Sequence, residues 1–311
     1  MGFIIAGGVL VFLLIATLVF SYVTYRITFY SPKNRQENIY DFPDGSDFAS
    51  AKEKMSKWID ALKDLPFEEV QITSFDGLRL YGRYYHFADG APVHIQFHGY
   101  RGTAYRDLCG GYQMAKENGF NTILVDQRAH GKSEGKTITF GINERYDCLA
   151  WAKYAQQRFG ENTPIYLSGV SMGATTVLMA SGLDLPSSVK GIFADCPFSS
   201  PEGVIKKTCE DIKVPPNLAF PFIALGARLY GRFNVKETTV IEAVKKAKVP
   251  IMILHGDADS IVPYEMGREI YESNPGNIAF ETFPGAGHAM SYIVDREKYL
   301  GLVRDFFQRT L

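Results

Sequence analysis

The sequence predicts an α/β protein with a mainly parallel sheet, an antiparallel N-terminal edge hairpin and helices on both faces. From Glu69 onward, short apolar runs alternate with longer segments of helix-forming residues. Strands that are apolar on both faces and alternate with helices are typical of a parallel sheet covered on both sides. Before these runs, Asp76-Gly77 joins two alternating segments, which predicts an antiparallel hairpin at the sheet edge.

The domain is expected to span residues 67–311, with its elements in a regular order. After the hairpin, buried strands are predicted at 91–97, 121–125, 164–167, 189–194, 249–254 and 278–283. Helices are predicted at about 105–117, 145–159, 174–180 and 297–308. This order predicts one α/β domain rather than two small ones.

One long interval, Pro197 to Lys248, interrupts the alternation and contains its own apolar cluster. Long inserts with structure of their own are typical of lids or binding regions, so we expect a helical cap at about 198–248 over the active face. The alternative is a helical cover that only packs on the sheet. If the insert is a cap, its apolar side chains contact the substrate, and the candidates are Leu218, Phe220, Phe222 and Leu225.

Residues 1–25 are predicted to form a single transmembrane anchor. Phe3 to Val23 carries no charge, and about twenty such residues span the hydrocarbon core of a bilayer as a helix. A cleaved signal peptide is the alternative. It is less favoured because no basic residue precedes the run and because Tyr22, Tyr25 and Arg26 form an aromatic and basic border of the interfacial type.

The basic residues near this segment predict its orientation. Arg26, Lys33 and Arg35 all follow the apolar run, so the positive-inside rule places the main domain in the cytoplasm. Residues 26–66 are expected to form a linker and a helix packed on the domain edge.

Composition argues against several function classes. The net charge is −1 and no block of Lys and Arg of the nucleic-acid-binding type occurs, so nucleic acid is not expected as a partner. The four cysteines are scattered without a C-x-x-C pair, which disfavours a zinc site or a disulfide framework. Pairing of Cys196 with Cys209 is conceivable, but only their proximity in the sequence supports it.

The segment Gly169 to Gly173 has the pattern G-x-S-x-G between a predicted strand and a predicted helix. This is the context of a nucleophile elbow, in which a strained turn exposes the hydroxyl of the central serine, here Ser171. Bulk at either flanking glycine would collide with neighbouring elements. The amide of Met172 lies at the positive end of the following helix. The pentapeptide alone is weak evidence for a catalytic serine, so the assignment depends on whether an acid and a histidine are found at suitable places in the chain.

A carboxylate and a histidine follow later strands. Asp257 and Asp259 come directly after the strand at 249–254, and His288 follows the strand at 278–283. The carboxyl ends of parallel strands meet at the same sheet edge, so these groups are expected near Ser171. The chain order of serine, acid and histidine is the one expected for a hydrolase of this topology.

Together these blocks resemble the α/β-hydrolase-fold serine hydrolases, close to the serine aminopeptidase-like or Bem46-like group. The matched motifs are G-x-S-x-G at 169–173, D-x-R-x-H-G-x-S-x-G at 126–135, H-G-x-x-D-x-x-V-P at 255–263 and G-x-G-H at 285–288. The resemblance implies that Ser171 is the nucleophile, His288 the base and Asp259 the acid, with Asp257 as the rival acid. It also implies that the backbone amides of Met172 and Tyr100 form the oxyanion hole.

By this resemblance the chain is expected to be a membrane-anchored serine hydrolase that cleaves carboxylic esters or thioesters through an acyl-enzyme. The expected substrate is a small-molecule or lipid acyl compound, and neither a metal nor an organic cofactor is expected. One alternative is an aminopeptidase or short-peptide hydrolase, in which Glu202 or Glu210 would bind a free amine. A less favoured alternative is a non-catalytic binding protein on the same fold.

Overall fold

The computed structural model describes residues 2–32, 38–42 and 46–311. Its centre is an eight-stranded sheet in the order β1-β2-β4-β3-β5-β6-β7-β8. The strands are β1 Glu68–Thr73, β2 Arg79–Tyr85, β3 Val93–Phe97, β4 Asn121–Asp126, β5 Ile165–Val170, β6 Val189–Asp195, β7 Ile251–Gly256 and β8 Ile278–Phe283. Within this sheet the β1–β2 and β2–β4 pairs are antiparallel and the other five strand pairs are parallel. The predicted fold class, with its antiparallel edge hairpin, is therefore confirmed.

The helices that pack on the sheet cover both of its faces, and the described residues form eleven helices in all. They are α1 Gly2–Thr28, α2 Ser46–Lys63, α3 Ala104–Glu117, α4 Glu144–Phe159, α5 Met172–Ala180, α6 Pro201–Asp211, α7 Pro216–Leu229, α8 Val240–Val244, α9 Tyr264–Ser273, α10 Ser291–Val294 and α11 Arg296–Thr310. Buried residues form two apolar clusters, one including Trp151 and Ile95 and the other including Phe193 and Phe307. The strands β3, β4 and β7 are buried on both faces, as their apolar runs predict, whereas the edge strands β1 and β8 are partly exposed.

The N-terminal helix α1 is long and apolar enough to cross a membrane, and its most apolar window is not buried in the protein. Its last turns nevertheless pack on the domain. Tyr25 is buried, and Phe29, just after the helix, is fully buried in the main core. The amide of Ile138 donates to the carbonyl of Phe29 at 2.8 Å. The first residues of the predicted linker therefore pack as part of the α/β domain.

The side chains of the loop after β3 join α1 to the sheet edge at which the parallel strands end. Tyr100 Oη donates to the carbonyl of Thr28 at 2.8 Å, and Arg101 Nη2 donates to the carbonyl of Ile27 at 2.7 Å. A cationic side chain at the carboxyl end of a helix stabilises its unpaired carbonyl groups. The end of the apolar helix is thus fixed beside the loop predicted to form the oxyanion hole.

Candidate active site

The turn between β5 and α5 has the strained geometry expected of a nucleophile elbow. Ser171 adopts φ 55° and ψ −117°, a backbone conformation that non-glycine residues rarely occupy. A Cβ atom on Gly169 would lie 2.2 Å from the carbonyl carbon of Gly173, and one on Gly173 would lie 2.0 Å from the carbonyl oxygen of Phe97. Both flanking glycines are therefore required by close backbone approach.

The structure brings His288 and Asp259 into direct contact. Nδ1 of His288 lies 2.8 Å from Oδ2 of Asp259, in a hydrogen bond. The other carboxylate oxygen, Oδ1, accepts the amides of Ile261 and Val262 at 2.9 and 2.8 Å. These two amides fix the carboxylate, so that Oδ2 faces the imidazole.

The rival acid lies elsewhere. Asp257 is exposed and its Oδ1 accepts the amide of Gly285 at 2.7 Å. It therefore stabilises the loop before His288 rather than orienting the imidazole.

The environment of Asp259 favours its charged form. Burial alone would raise the pKa of this carboxyl, but hydrogen bonds with His255 and His288 outweigh it and hold the pKa well below its usual range. His255 Nε2 lies 3.4 Å from Asp259 Oδ2 and 3.1 Å from the carbonyl oxygen of Val262. The negative charge needed to orient a histidine is thus present at neutral pH.

Ser171 and His288 line the same cavity, which has a volume of about 190 Å³. Its other walls come from the loop after β3, from the start of α3, from the loops after β7 and β8, and from α2 with the segment before it. They include the side chains Phe42, Met55, Tyr100, Arg106, Ile261 and Met290. Ser171 and His288 therefore lie around one opening at the carboxyl edge of the sheet, and Asp259 is connected to it through its hydrogen bond with His288.

The loop of the predicted oxyanion hole packs directly against the elbow. A Cβ atom on Gly99 would lie 3.6 Å from that of Ser171, and Tyr100 lines the cavity beside it. Met172 is the first residue of α5, and the first amides of a helix have no acceptor within the helix. Both predicted donor residues are therefore adjacent to the serine.

Two side chains brace this loop from behind. Asp107 Oδ2 accepts the amide of Gly99 at 2.9 Å, and His130 Nε2 accepts the amide of Arg101 at 3.1 Å. Sequence reasoning missed Asp107, because an acidic residue in the first turn of a helix is normally explained by the helix dipole alone. His130 was expected only to brace its own turn, which it also does through Nδ1 and the carbonyl oxygen of Arg128 at 2.9 Å.

The insert is confirmed as helical and consists of α6, α7 and α8, but its location differs from the prediction. Among the described residues, none from 198–248 lines the cavity that contains Ser171. Leu218 is exposed, Phe220 is buried, and the Phe222 ring contacts Phe20 of α1 at 4.9 Å between centroids. Leu225 is half-buried on the same helix. These four residues therefore lie away from the cavity that contains Ser171, because α7 packs on α1 instead of covering the elbow, and their contact with a substrate stays a prediction.

Cys196 lies close to the histidine–aspartate pair, and its Sγ atom is within 4.8 Å of ligand atoms of Asp259 and His288. Burial raises the pKa of the Cys196 thiol well above its usual value, so the sulfur stays protonated. A protonated thiol is a poor metal ligand, and the imidazole Nδ1 is already engaged by the carboxylate. All four cysteines are free, so the conceivable Cys196–Cys209 disulfide is not formed.

A second buried carboxyl lies close to the predicted triad residues His288 and Asp259. Asp195 ends β6 and accepts a hydrogen bond from Ser291 Oγ at 3.2 Å. Burial raises its pKa to about 6, against smaller lowering contributions from His255, Ser291 and His288. Folding therefore favours the neutral form of this carboxyl.

Replacing Asp195 with asparagine should change how stability depends on pH. At pH 5 the folded protein retains the proton of Asp195 whereas the unfolded chain has lost it, so this group lowers stability as pH rises from about 4 to about 6. Asp195→Asn removes this loss of stability. The variant should therefore become more stable relative to the wild type as pH rises across this window, by up to about 3 kcal/mol in the free energy of unfolding. Denaturant titrations in detergent at several pH values measure it. A pH-independent difference would contradict the assignment, and Asp257→Asn, at an exposed carboxyl, is the control.

Comparison with known proteins agrees with this architecture. The esterase Pf2001 of Pyrococcus furiosus superposes with a TM-score of 0.65 at 23% identity, over 83% of this chain and 93% of that one. The uncharacterized protein YqkD of Bacillus subtilis is 26% identical over 246 residues, which is 77% of this chain and 80% of that protein. The lysophosphatidylserine lipase ABHD12 of Xenopus tropicalis is 25% identical over 272 residues, 81% of this chain but only 63% of the lipase.

The sequence model described as the prolyl oligopeptidase family matches residues 113–311. This region contains the elbow, the strand ends that carry Asp259 and His288, and the helical insert. The resemblance to α/β-hydrolase-fold serine hydrolases is confirmed by this match together with the fold. The chain is an α/β hydrolase and belongs to the prolyl oligopeptidase family.

Proposed function

We propose that this chain is a membrane-anchored serine hydrolase that cleaves carboxylic ester or thioester bonds through Ser171, His288 and Asp259. The observation that carries the proposal is the joint placement of Ser171 and His288 around one cavity, with Asp259 Oδ2 2.8 Å from the imidazole Nδ1. A carboxylate at Nδ1 keeps the proton on that nitrogen and leaves Nε2 as the base.

The reaction follows from this arrangement. His288 Nε2 takes the hydroxyl proton of Ser171 as its oxygen attacks the acyl carbonyl. The amides of Met172 and Tyr100 stabilise the tetrahedral oxyanion, a contribution of roughly 3 kcal/mol per donor in comparable sites. The imidazolium then protonates the departing alcohol or thiol, which leaves an acyl group on Ser171. A water molecule, deprotonated by His288, releases the acid and restores the serine.

The surroundings of the cavity favour an apolar acyl substrate from a membrane. Phe42, Met55, Ile261 and Met290 contribute apolar wall, and Tyr100 connects the cavity wall to the last residue of α1. The names of two relatives, an esterase and a lysophosphatidylserine lipase, agree with an ester substrate. The basic residues that follow α1 favour a cytoplasmic catalytic domain.

A peptidase is the second candidate, because the matched family is named for an oligopeptidase. The carboxylates expected to bind a peptide amine do not support it. Glu202 pairs with Lys206 and Lys236, Glu210 is exposed, and neither lines the cavity that contains Ser171 among the described residues. Ester and thioester cleavage is therefore the favoured activity. The proposal also includes the division of the chain into a membrane anchor and a catalytic domain.

A substrate panel tests the proposal on the full-length protein in detergent. The compounds are acyl esters of several chain lengths, an acyl thioester and an aminoacyl amide that share one chromophore. We expect kcat/KM for esters and thioesters to exceed that for the amide by at least about 100-fold. A preference for the amide would support the peptidase instead. Absence of fluorophosphonate labelling in folded protein would support a non-catalytic binding protein.

A further inference from the structure

The helix α7 is apolar on two opposite sides. One side, formed by Ala219, Phe220, Ile223 and Ala227, is buried in the domain. Leu218, Phe222, Leu225 and Leu229 recur at intervals of three to four residues and form a second stripe, which we call the outer stripe. A helix with apolar residues all round is expected in a protein interior or in contact with lipid. Arg228 is the only charged residue of α7.

The two ends of the outer stripe are not covered by the domain, whereas its middle is partly covered and Phe222 contacts Phe20 of α1. Leu218 is 68% exposed and Leu229 is 47% exposed, and Ile212, one turn before the helix, is 65% exposed. Phe222 and Leu225 are half-buried. Exposing the apolar surface of Ile212, Leu218 and Leu229 to water costs roughly 25 cal/mol for each Å². Such a stripe therefore indicates a contact partner that is missing from the isolated chain.

The position of α7 identifies the partner as a lipid bilayer, because α7 packs against the helix that is apolar enough to span one. A Cβ atom on Gly226 would lie 2.3 Å from the carbonyl oxygen of Ser21, so the two helices are in close backbone contact. Tyr230 Oη donates to the carbonyl of Leu18 at 3.1 Å. These contacts place α7 beside the last third of α1, where a membrane span starting near Phe3 reaches the bilayer surface.

The charges around the outer stripe have the arrangement of an interfacial helix. Lys213 precedes α7, and Arg228 and Arg232 lie at its other end; all three are exposed. None of them forms an ion pair within 4.0 Å among the residues that the structure describes. Basic side chains at the ends of an apolar helix extend to lipid headgroups and strengthen binding to anionic lipids.

We propose that α7 lies in the interface of an anionic lipid bilayer beside α1, with its outer stripe in the boundary between headgroups and acyl chains. The chain then has a second membrane contact that comes from the catalytic domain itself. This inference rests on α1 as a membrane span and not on the chemistry of Ser171. It explains why the insert packs on α1 and leaves the cavity open.

A fluorescent label at Leu218 tests the depth of α7. The four native cysteines are buried, so a single Leu218→Cys variant of the full chain can be labelled with an environment-sensitive nitrobenzoxadiazole dye. The matched control is Glu161→Cys, at an exposed position before β5 and therefore at the opposite edge of the sheet. Both proteins are reconstituted in vesicles that contain phosphatidylcholine and phosphatidylglycerol.

We expect the label at residue 218 to shift to shorter wavelength and to be quenched by spin labels on the lipid acyl chains. The label at residue 161 should instead be quenched by iodide in the aqueous phase. Iodide quenching of both labels to the same extent would overturn the proposal. The label at residue 218 could instead be protected from iodide increasingly at higher protein concentration, without quenching by the lipid-borne spin labels. That result would also overturn the proposal and would indicate a second copy of this chain on the outer stripe.

A charge on the outer stripe provides an activity measurement that separates this inference from the proposed function. Leu229→Glu adds an anion at a position that is 47% exposed and lies outside the two buried core clusters. We expect turnover of an acyl ester dissolved in vesicles to fall by at least about tenfold, while turnover of a short water-soluble ester stays within about twofold. The lipid contact would be overturned if the ratio of the variant's rate to the wild-type rate were the same for both substrates. Inactivity of the wild type itself on the soluble ester would count against the proposed chemistry alone.

Discussion

Replacing Ser171 with alanine is expected to lower kcat/KM for an activated ester by at least about 10⁵-fold. The hydroxyl is the proposed nucleophile, and neither His288 nor the oxyanion amides can replace it in forming an acyl-enzyme. The fold should persist, because Ser171 is fixed by its backbone. Its amide donates to the carbonyl of Asp195 at 2.9 Å, and an alanine has the same strain at φ 55°. Steady-state kinetics and circular dichroism on the same preparation measure the two effects.

A control serine separates the nucleophile from nonspecific effects of substitution. Ser273 caps the end of α9 through a hydrogen bond from its Oγ to the carbonyl of Ile270 at 2.7 Å, far along the chain from the elbow. Ser273→Ala should retain full activity and full labelling by a fluorophosphonate, whereas Ser171→Ala should lose both. Wild-type rates in Ser171→Ala would remove the serine from the mechanism and with it the acyl-enzyme. Labelling that persisted in this variant would assign the reactive group to another residue.

The elbow and the strands around it are predictable from sequence because their constraints are local. Gly169 and Gly173 are required by backbone contacts within the turn itself or with the adjacent strand, so the pentapeptide carries its own geometry. Strands buried on both faces have a continuous apolar pattern that needs no knowledge of their neighbours. The helix α9 is an exception. It is short and directly follows Pro263, and it is absent from the predicted helices although its residues form an amphipathic pattern.

The place of the insert could not be predicted in the same way. The apolar residues of α7 indicate that something covers them, but periodicity does not identify the covering surface. The partner of Phe222 is Phe20, about two hundred positions earlier in the chain. Part of the cavity wall comes instead from Phe42 and Met55, in a region for which the sequence predicts only a linker and an edge helix. Contacts between distant segments depend on the whole topology, which no local pattern encodes.

Asp257 and Asp259 are the two candidates for the acid that orients His288. A substitution of Asp259 therefore tests directly which of them has this role. In Asp259→Asn, the side-chain carbonyl oxygen retains the amides of Ile261 and Val262, because these two donors require an acceptor. The new amide group then faces His288 and donates to Nδ1. This contact favours the tautomer in which Nε2 carries the proton, and such an imidazole cannot accept the proton of Ser171. We expect a loss of about 10⁴-fold in kcat, similar to comparable triads.

The matched variant is Asp257→Asn, in which the side-chain oxygen keeps its bond to the amide of Gly285 and no contact with the imidazole is changed. Its kcat should stay within about threefold of the wild type. The two variants make the same chemical change two residues apart, so a difference in rate reports the tautomer of His288 rather than a lost charge near the cavity. A large loss in Asp257→Asn together with a small one in Asp259→Asn would reverse the assignment of the acid. Equal small losses would mean that orientation of His288 by a carboxylate does not limit the reaction.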